Sequence, residues 1–266
     1  MVYNIGIILL FVKGVDFSMI KVGIADYGMN VWYGDFYDST ERMDQIKAIG
    51  YDGLERMRPI DTADAMNKAV VLARRGMSFA TVAAPNVELS IKWTAAFGRK
   101  YVWNQGWNNS KDLDEYCRMC NEMSKACRNY GIRTAVHNHL GSKVETQEQL
   151  ETFLEKCPDA GLIFDIGHLG AAGGNVREIF DKYYDRIVAI HLKDWKIDSK
   201  NAVWKGTGYF CALGEGVLAE ENRYVVENCI KRGFDGWILV EQDTHMREPL
   251  EDLKQSRELI RTWGLK

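Results

Sequence analysis

No run of apolar residues in this chain is long enough to cross a bilayer. The longest, "IGIILLFV" at residues 5–12, falls far short of the roughly 20 residues a spanning helix needs. It has neither the basic start nor the small-residue cleavage site of a secretory signal. Charge of one sign is missing too: 34 Lys and Arg face 37 Asp and Glu, a net charge of −3. That balance gives no footprint for nucleic acid or an anionic membrane surface. A small solvated molecule is the expected partner. The turn after the first strand candidate, "ADYGMN", lacks the GxGxxG of a dinucleotide fold, and no arginine cluster or P-loop marks a phosphate site. Cysteine is present six times, and Cys117 and Cys120 form one CxxC pair. No second pair completes a zinc site. The surrounding "DLDEYCRMCNEMSKACRNYG" has helical period, so Cys117, Cys120 and Cys127 read as small apolar residues of one helix. Without a secretory signal the expectation is reduced thiols and a cytoplasmic protein.

What is present is a rhythm. From Ile20 onward, short β-branched or apolar runs alternate with amphipathic stretches of helical period. The strand candidates are "KVGIAD", "DGLERM", "FATVAA", "YVWNQGW", "RTAVHNH", "GLIFDIGH", "IVAIHLKDW" and "GWILVEQD". Helices are predicted to begin near Ser39, Ala63, Val87, Leu113, Gln147, Val176, Ala219 and Leu250. Eight strand–helix units in this length predict a single-domain α/β fold, a (β/α)8 TIM barrel over residues 19–266. Residues 1–18 read as an extension outside that pattern, with a second methionine, Met19, at its end. The only long connection, residues 196–218, follows the seventh strand, and loops of that length are commonly functional.

In such a barrel, chemistry belongs to residues at the C-terminal ends of strands. The second candidate ends in Glu55, the fifth in His137 and His139, and the sixth in Asp165 and His168. The seventh ends in His191, Lys193 and Asp194, and the eighth in Glu241 and Asp243. Residues two apart on a strand share a face, so His137 and His139 are expected to point the same way. Four of the chain's five histidines therefore gather at one mouth. Asp165, His191 and Glu241 come from three successive strands and could converge on one divalent ion. Mn²⁺, Co²⁺, Mg²⁺ and Zn²⁺ all suit such carboxylate and imidazole donors. Taken singly, a strand-end aspartate caps the following helix and a histidine packs in a core. Taken together, so many buried polar groups call for pairing or a metal.

The runs "FDIGHLGAAGGNV", "IVAIHLKDW", "LGEGVL", "ILVEQD" and "PLEDLKQSRELI", in that order, resemble the sugar phosphate isomerase/epimerase family of xylose isomerase-like TIM barrels. The resemblance runs from Ile20 to the C-terminus. It implies one Mn²⁺-like ion held by a glutamate, an aspartate, a histidine and a second glutamate, the last three matching Asp165, His191 and Glu241. It also implies that His168 contacts substrate and that Glu55 lies in the pocket. Many members carry "ENH" at the end of strand five, where this chain has His137-Asn138-His139. The first metal-binding carboxylate is thus missing, and "HNHLGS" with "VET" instead resembles the branch that contains inosose dehydratase. Either His137 takes the vacant place, or Glu145 folds back into it; alternatively Glu145 only precedes a helix capped by Thr146 and Gln149.

The departure implies a changed proton relay, with His139 as the acid–base group beside Glu241 and His137, and with Lys193 holding a hydroxyl or the enolate or else pairing with Asp194. Among Trp32, Trp103, Trp107 and Trp195, the last two are the expected sugar-stacking residues. The implied activity is α-proton abstraction beside a carbonyl of a sugar or cyclitol, with inosose-type dehydration first. Ketose 3-epimerisation or aldose–ketose isomerisation is the alternative, as is β-elimination from a 3-oxo-glycoside. A non-catalytic sugar-binding subunit would predict broken ligands. Abasic-site endonucleases of the same superfamily fold bind three zinc ions and need a basic groove; five histidines and a net negative charge argue against that reading. A homo-oligomer or hetero-complex is expected on family likeness.

Overall fold

The computed structural model describes residues 20–34, 39–104, 109–203 and 207–266. The expected extension over residues 1–18, and Trp107, lie outside them. The barrel strands are β1 (Lys21–Ala25), β2 (Gly53–Met57), β3 (Ser78–Val82), β4 (Tyr101–Trp103), β5 (Arg133–His137), β6 (Gly161–Asp165) and β7 (Ile187–Leu192). An antiparallel ribbon, β8 (Asp194–Ile197) and β9 (Gly208–Cys211), precedes the last barrel strand, β10 (Trp237–Glu241). Helices α1 (Tyr27–Tyr33), α2 (Ser39–Ile49), α3 (Thr62–Arg74), α4 (Val87–Ala96) and α5 (Leu113–Arg128) accompany the first half. The second half carries α6 (Gln147–Lys156), α7 (Ile166–Ala171), α8 (Val176–Lys182), α9 (Ala219–Arg232) and α10 (Pro249–Thr262). The eight parallel strands pair in the order β3-β2-β1-β10-β7-β6-β5-β4, with β3 and β4 packed against each other to bring the barrel nearly to closure. The expected (β/α)8 fold is the observed one.

The strands stop where side chains take over the backbone hydrogen bonds. In "GLIFDIGH" the strand ends at Asp165, whose Oδ1 accepts the His168 N–H at 2.7 Å and turns the chain into α7. "RTAVHNH" ends at His137, because His139 N–H bonds Val144 O at 3.0 Å and starts a turn. "IVAIHLKDW" breaks after Leu192, where Asn222 Oδ1 accepts the Lys193 N–H at 3.1 Å. The long connection after the seventh strand is thus partly the β8–β9 ribbon. On α5, Cys117, Cys120 and Cys127 are buried as small core residues, and all six cysteines are free thiols.

Inside the barrel, Ala80, Tyr101, Ala135, Ile163, Ala189, Trp237 and Leu239 form a packed plug. Two residues further along a strand returns to the same face. From Tyr101, Ala135, Ile163, Ala189 and Leu239 that step leads to Trp103, His137, Asp165, His191 and Glu241. On β2 the same step leads from Gly53 to Glu55. The plug therefore forms the floor of a polar layer at the C-terminal mouth. Register does the rest: Asp165 is paired with His191, and His191 with Leu239, one pleat below Glu241.

Asp194 anchors the segment beyond the ribbon. Its carboxylate accepts from the backbone N–H groups of Trp195 (2.9 Å), Leu218 (2.8 Å), Gly214 (2.9 Å) and Gly216 (3.0 Å). A Cβ on Gly216 would lie 2.4 Å from Asp194 Oδ1, so only glycine permits that approach. Replacing Asp194 with Ala strands these donors, at a cost of about 3 kcal/mol or more. Thermal unfolding of Asp194→Ala should then show a Tm lower by roughly 6–12 °C.

Candidate metal centre and active site

His137, Asp165, His191 and Glu241 are buried, and one ligand atom from each lies within 4.8 Å of the others. His191 Nδ1 lies 2.7 Å from Glu241 Oε2 and 3.4 Å from Asp165 Oδ2, and His137 Nε2 lies 3.2 Å from the same Asp165 oxygen. Asp165 divides its carboxylate: Oδ1 caps α7 and Oδ2 faces the group. One oxygen of Asp165 thus serves as the helix cap while the other lies within the group of four. Asn138 faces away from its histidine neighbours and clamps the ends of β5 and β6. Its Nδ2 donates to Asp165 O at 2.8 Å, and its Oδ1 accepts from Asp165 N at 2.9 Å.

Lys193, with no exposed surface, extends its ammonium to Glu241 Oε2 (2.8 Å), Asp165 Oδ2 (3.1 Å) and Asp243 Oδ2 (3.2 Å). Burial by itself would neutralise these groups, but their mutual field keeps them charged. Burial raises the Asp165 carboxyl, yet Lys193 and His168 hold it well below the usual range. Burial raises Glu241 in the same way, and Lys193 and His191 more than offset it. Burial disfavours the His191 imidazolium, but Glu55 and Glu241 push its pKa well above the ordinary value. His137 goes the other way: burial pushes it down to about 3, against its bond to Asp165.

Two imidazoles and two carboxylates around one point are a donor set for a divalent cation. Charge agrees. Glu55, Asp165, Glu241 and Asp243 are buried carboxylates, and the fixed cations that reach them are Lys193 and Arg56. A doubly charged ion that displaced the extra His191 proton would bring the layer to neutrality. The residues present fit such a group, and His137, Asp165, His191 and Glu241 could hold it.

A second group lies beside the first. His139, His168 and Asp243 also place ligand atoms within 4.8 Å of one another. Here Lys193 Nζ, 3.0 Å from His168 Nε2, already supplies the positive charge. The lysine stem runs under α7 because Gly167 has no side chain; a Cβ there would come within 2.5 Å of Lys193 Cγ. The His139 and His168 rings stack at 3.7 Å between centroids, and His139 Nδ1 lies 2.5 Å from Leu140 O. Burial, with His168 and Lys193 nearby, lowers the His139 pKa to about 4. A separate cavity of about 500 Å³ borders β2 on the outside of the barrel, where Arg56, Arg58 and Lys68 are among its lining residues.

The structure brings most of the expected residues together and reassigns several. His137 and His139 belong to different groups, with ring centroids 5.5 Å apart, since β5 ends between them. Glu145 is not part of the group of four. Its Oε2 accepts from Gly141 N at 2.8 Å, and the capping box of Thr146 and Gln149 fixes its backbone at the start of α6. His137 stands in the fourth place instead. Trp195 is 6% exposed and meets Phe210 in a T-shaped contact at 5.0 Å, in a cluster with Leu140 and Leu218. Glu55 and His168 have no exposed surface. Lys193 pairs with the site carboxylates, while Asp194 is taken up by backbone donors. Asn138, Asn222 and Trp103 support the site without having been singled out for it, because an amide clamp is visible only once the strand ends are placed.

The fold and the site together define a TIM barrel with a buried group at its mouth fit for a divalent cation. A profile of the xylose isomerase-like TIM barrel family matches residues 43–263, and the chain belongs to that family. Inosose dehydratase of Lactiplantibacillus plantarum is 29% identical over 154 residues, covering 53% of this chain and 51% of that protein. Inosose dehydratase of Glaesserella parasuis is 27% identical over 251 residues, covering 87% of this chain and 75% of its own length. The chain spans about half the length of the first curated relatives it matches. Among solved structures, the IolI protein with a bound zinc atom superposes with a TM-score of 0.68 at 14% identity, covering 91% of this chain and 97% of that one. L-ribulose 3-epimerase gives 0.68 at 14%, covering 92% and 94%. No helix among the described residues is long and apolar enough to cross a membrane.

If His137 holds the cation, His137→Ala should weaken Zn²⁺ or Mn²⁺ binding while Glu145→Ala leaves it as in the parent chain. Metal analysis after dialysis against a fixed free-ion concentration decides between the two. Retention by His137→Ala together with loss by Glu145→Ala would restore the folded-back glutamate.

Proposed function

We propose that this protein is a divalent-metal-dependent enzyme that removes the proton beside a carbonyl of a sugar or cyclitol, and that it completes the reaction by expelling a β-hydroxyl as water, as an inosose dehydratase-like lyase. The observation that carries this reading is the placement of His139. Of the four histidines at the mouth it alone is half-buried, the other three being buried. It is therefore the imidazole a ligand can reach.

The chemistry follows from the groups around it. Nδ1–H donates to Leu140 O at 2.5 Å, which leaves Nε2 as the basic nitrogen. Nε2 takes the α-proton, and the electron pair of that C–H bond moves toward the carbonyl oxygen. Lys193, buried behind His168 with Asp243 3.2 Å from its ammonium, adds positive charge to the side of the layer on which the enolate charge develops. The proton then passes from His139 to the departing hydroxyl; a C–H and a C–O bond are lost, a C=C bond forms and water leaves, with no change in redox state. A bound divalent cation would polarise the substrate carbonyl and offset the charge of the enolate. Its identity belongs to this proposal as well. An oxygen-rich set favours Mn²⁺, whereas the second imidazole from His137 shifts the preference toward Zn²⁺ or Co²⁺. The named relatives support the inosose reading, and their partial coverage leaves the whole-protein activity as part of the proposal.

Proton NMR of the metal-loaded protein in D₂O with scyllo-inosose tests it. Loss of the β-hydroxyl to an unsaturated or dione product is expected, and His139→Ala should slow it by about 10²- to 10⁴-fold at unchanged metal content. Deuterium entering a ketose α-position without elimination would replace the lyase by an isomerase or epimerase. No reaction with either substrate would overturn the small-sugar reading.

A further inference from the structure

Glu55 is expected from the family resemblance to lie in the pocket, yet its side chain has no exposed surface. One oxygen receives two donors. Oε1 accepts from Trp103 Nε1 at 3.0 Å and lies 2.9 Å from His191 Nε2. The other oxygen, Oε2, lies 3.4 Å from Arg56 Nε, and the Arg56 guanidinium stands over the Trp103 ring at 4.4 Å. The carboxylate is thus hydrogen-bonded through Oε1 to Trp103 of β4 and His191 of β7, while Oε2 meets the Arg56 charge as an ion pair. The same indole packs against both imidazoles of the group of four, at 4.7 Å from His137 and 5.9 Å from His191 between centroids.

An ionised carboxylate only accepts hydrogen bonds, and a neutral imidazole has one donor and one acceptor nitrogen. In the cation-free group both His191 nitrogens face carboxylates and both donate. A cation in the group of four would take the place of the proton on the nitrogen turned toward that group, and Nε2, turned to Glu55, would keep its own. The other, Nδ1, is the one that looks toward Glu241 Oε2 at 2.7 Å and Asp165 Oδ2 at 3.4 Å. We propose that Glu55 is a positioning residue of the metal group: by accepting His191 Nε2–H it fixes Nδ1 as the nitrogen that holds a cation, and the Trp103–Arg56 stack holds Glu55 in that orientation. This rests on the metal-holding reading of the group of four, and it moves Glu55 from substrate contact to support of a ligand. Supporting carboxylates of this kind orient the imidazole and raise its basicity, and their loss typically costs 10- to 100-fold in metal affinity.

The test titrates the metal-free full chain with Zn²⁺, a diamagnetic probe, and reads the histidine tautomers of the loaded protein by long-range ¹H–¹⁵N correlation. In the parent chain His191 should appear with a proton on Nε2 and the metal on Nδ1. Glu55→Ala should bind Zn²⁺ about 10- to 100-fold more weakly and lose the single-tautomer pattern. Glu55→Gln keeps a carbonyl oxygen as acceptor and should retain the tautomer with a smaller loss. Trp103→Phe keeps a ring beside His137 but removes the N–H that pins Glu55; it should lose affinity less than Glu55→Ala, and it carries the test if Glu55→Ala fails to fold. Zinc found on Nε2 of His191, or a folded Glu55→Ala with parental affinity, would overturn the proposal. Failure of the parent chain to bind Zn²⁺ would overturn the metal reading itself, a result that the tautomer and affinity differences among variants cannot imitate.

Discussion

Four carboxylates nearly out of water, Glu55, Asp165, Glu241 and Asp243, have to be balanced from within the barrel. Leaving a carboxylate unpaired in such a place costs several kcal/mol, so the polar layer exists only if each is answered by a donor of fixed position. Much of the molecule's local detail serves that requirement. Gly167 clears the path of the Lys193 stem. Asn222 holds the lysine backbone through Lys193 N and O at 3.1 and 3.0 Å. Arg56 reaches Glu55 from the outer face of the same strand. Among the described residues Lys193 and Arg56 do not complete the balance, and His191, held cationic, narrows the gap that a divalent ion in place of its proton would close.

The eight strands were legible because each carries β-branched or apolar residues at period two, and buried parallel strands need little else. Most helix starts were legible for a similar local reason: Asp112 and Thr146 cap where a cap is expected, with the Thr146 box complete. The strand ends were not. Asp165, His139 and Lys193 leave their strands through bonds to His168 N, Val144 O and Asn222 Oδ1, and a partner from another part of the chain has no signature in the strand itself. That is why "DIGH" reads as strand and folds as α7, and why the short α1 after β1 goes unnoticed.

The same limit governed the site. Asp165, His191 and Glu241 sit where strand position puts them, so alternation alone brings them together. The fourth place was open between His137 and Glu145 because the choice depends on the turn from 139 to 144. That turn lets Gly141 N–H capture the glutamate and leaves His137 on the inner face. Trp195 is open from sequence for a related reason: an indole at a strand end can stack on a ligand or on its neighbours. The β8–β9 ribbon, invisible in a long polar connection, supplies Phe210 as the neighbour.

The exchange of a carboxylate for His137 has a chemical corollary. A third carboxylate around the cation site would add another negative charge where Lys193 already serves three carboxylates. An imidazole held neutral, its pKa pushed down to about 3 chiefly by burial, supplies a donor without that charge. It also removes the carboxylate that could have moved a proton on the β5 side of a bound sugar. Under the proposed reading, proton transfer on that side falls to His139, which can both take a proton and return it to a leaving hydroxyl. Two carboxylates on opposite faces suit inversion of a stereocentre; one imidazole working from a single face suits loss of water. Under the proposed reading, the residue that limits the buried negative charge is thus the same one that leaves proton transfer on that side to His139.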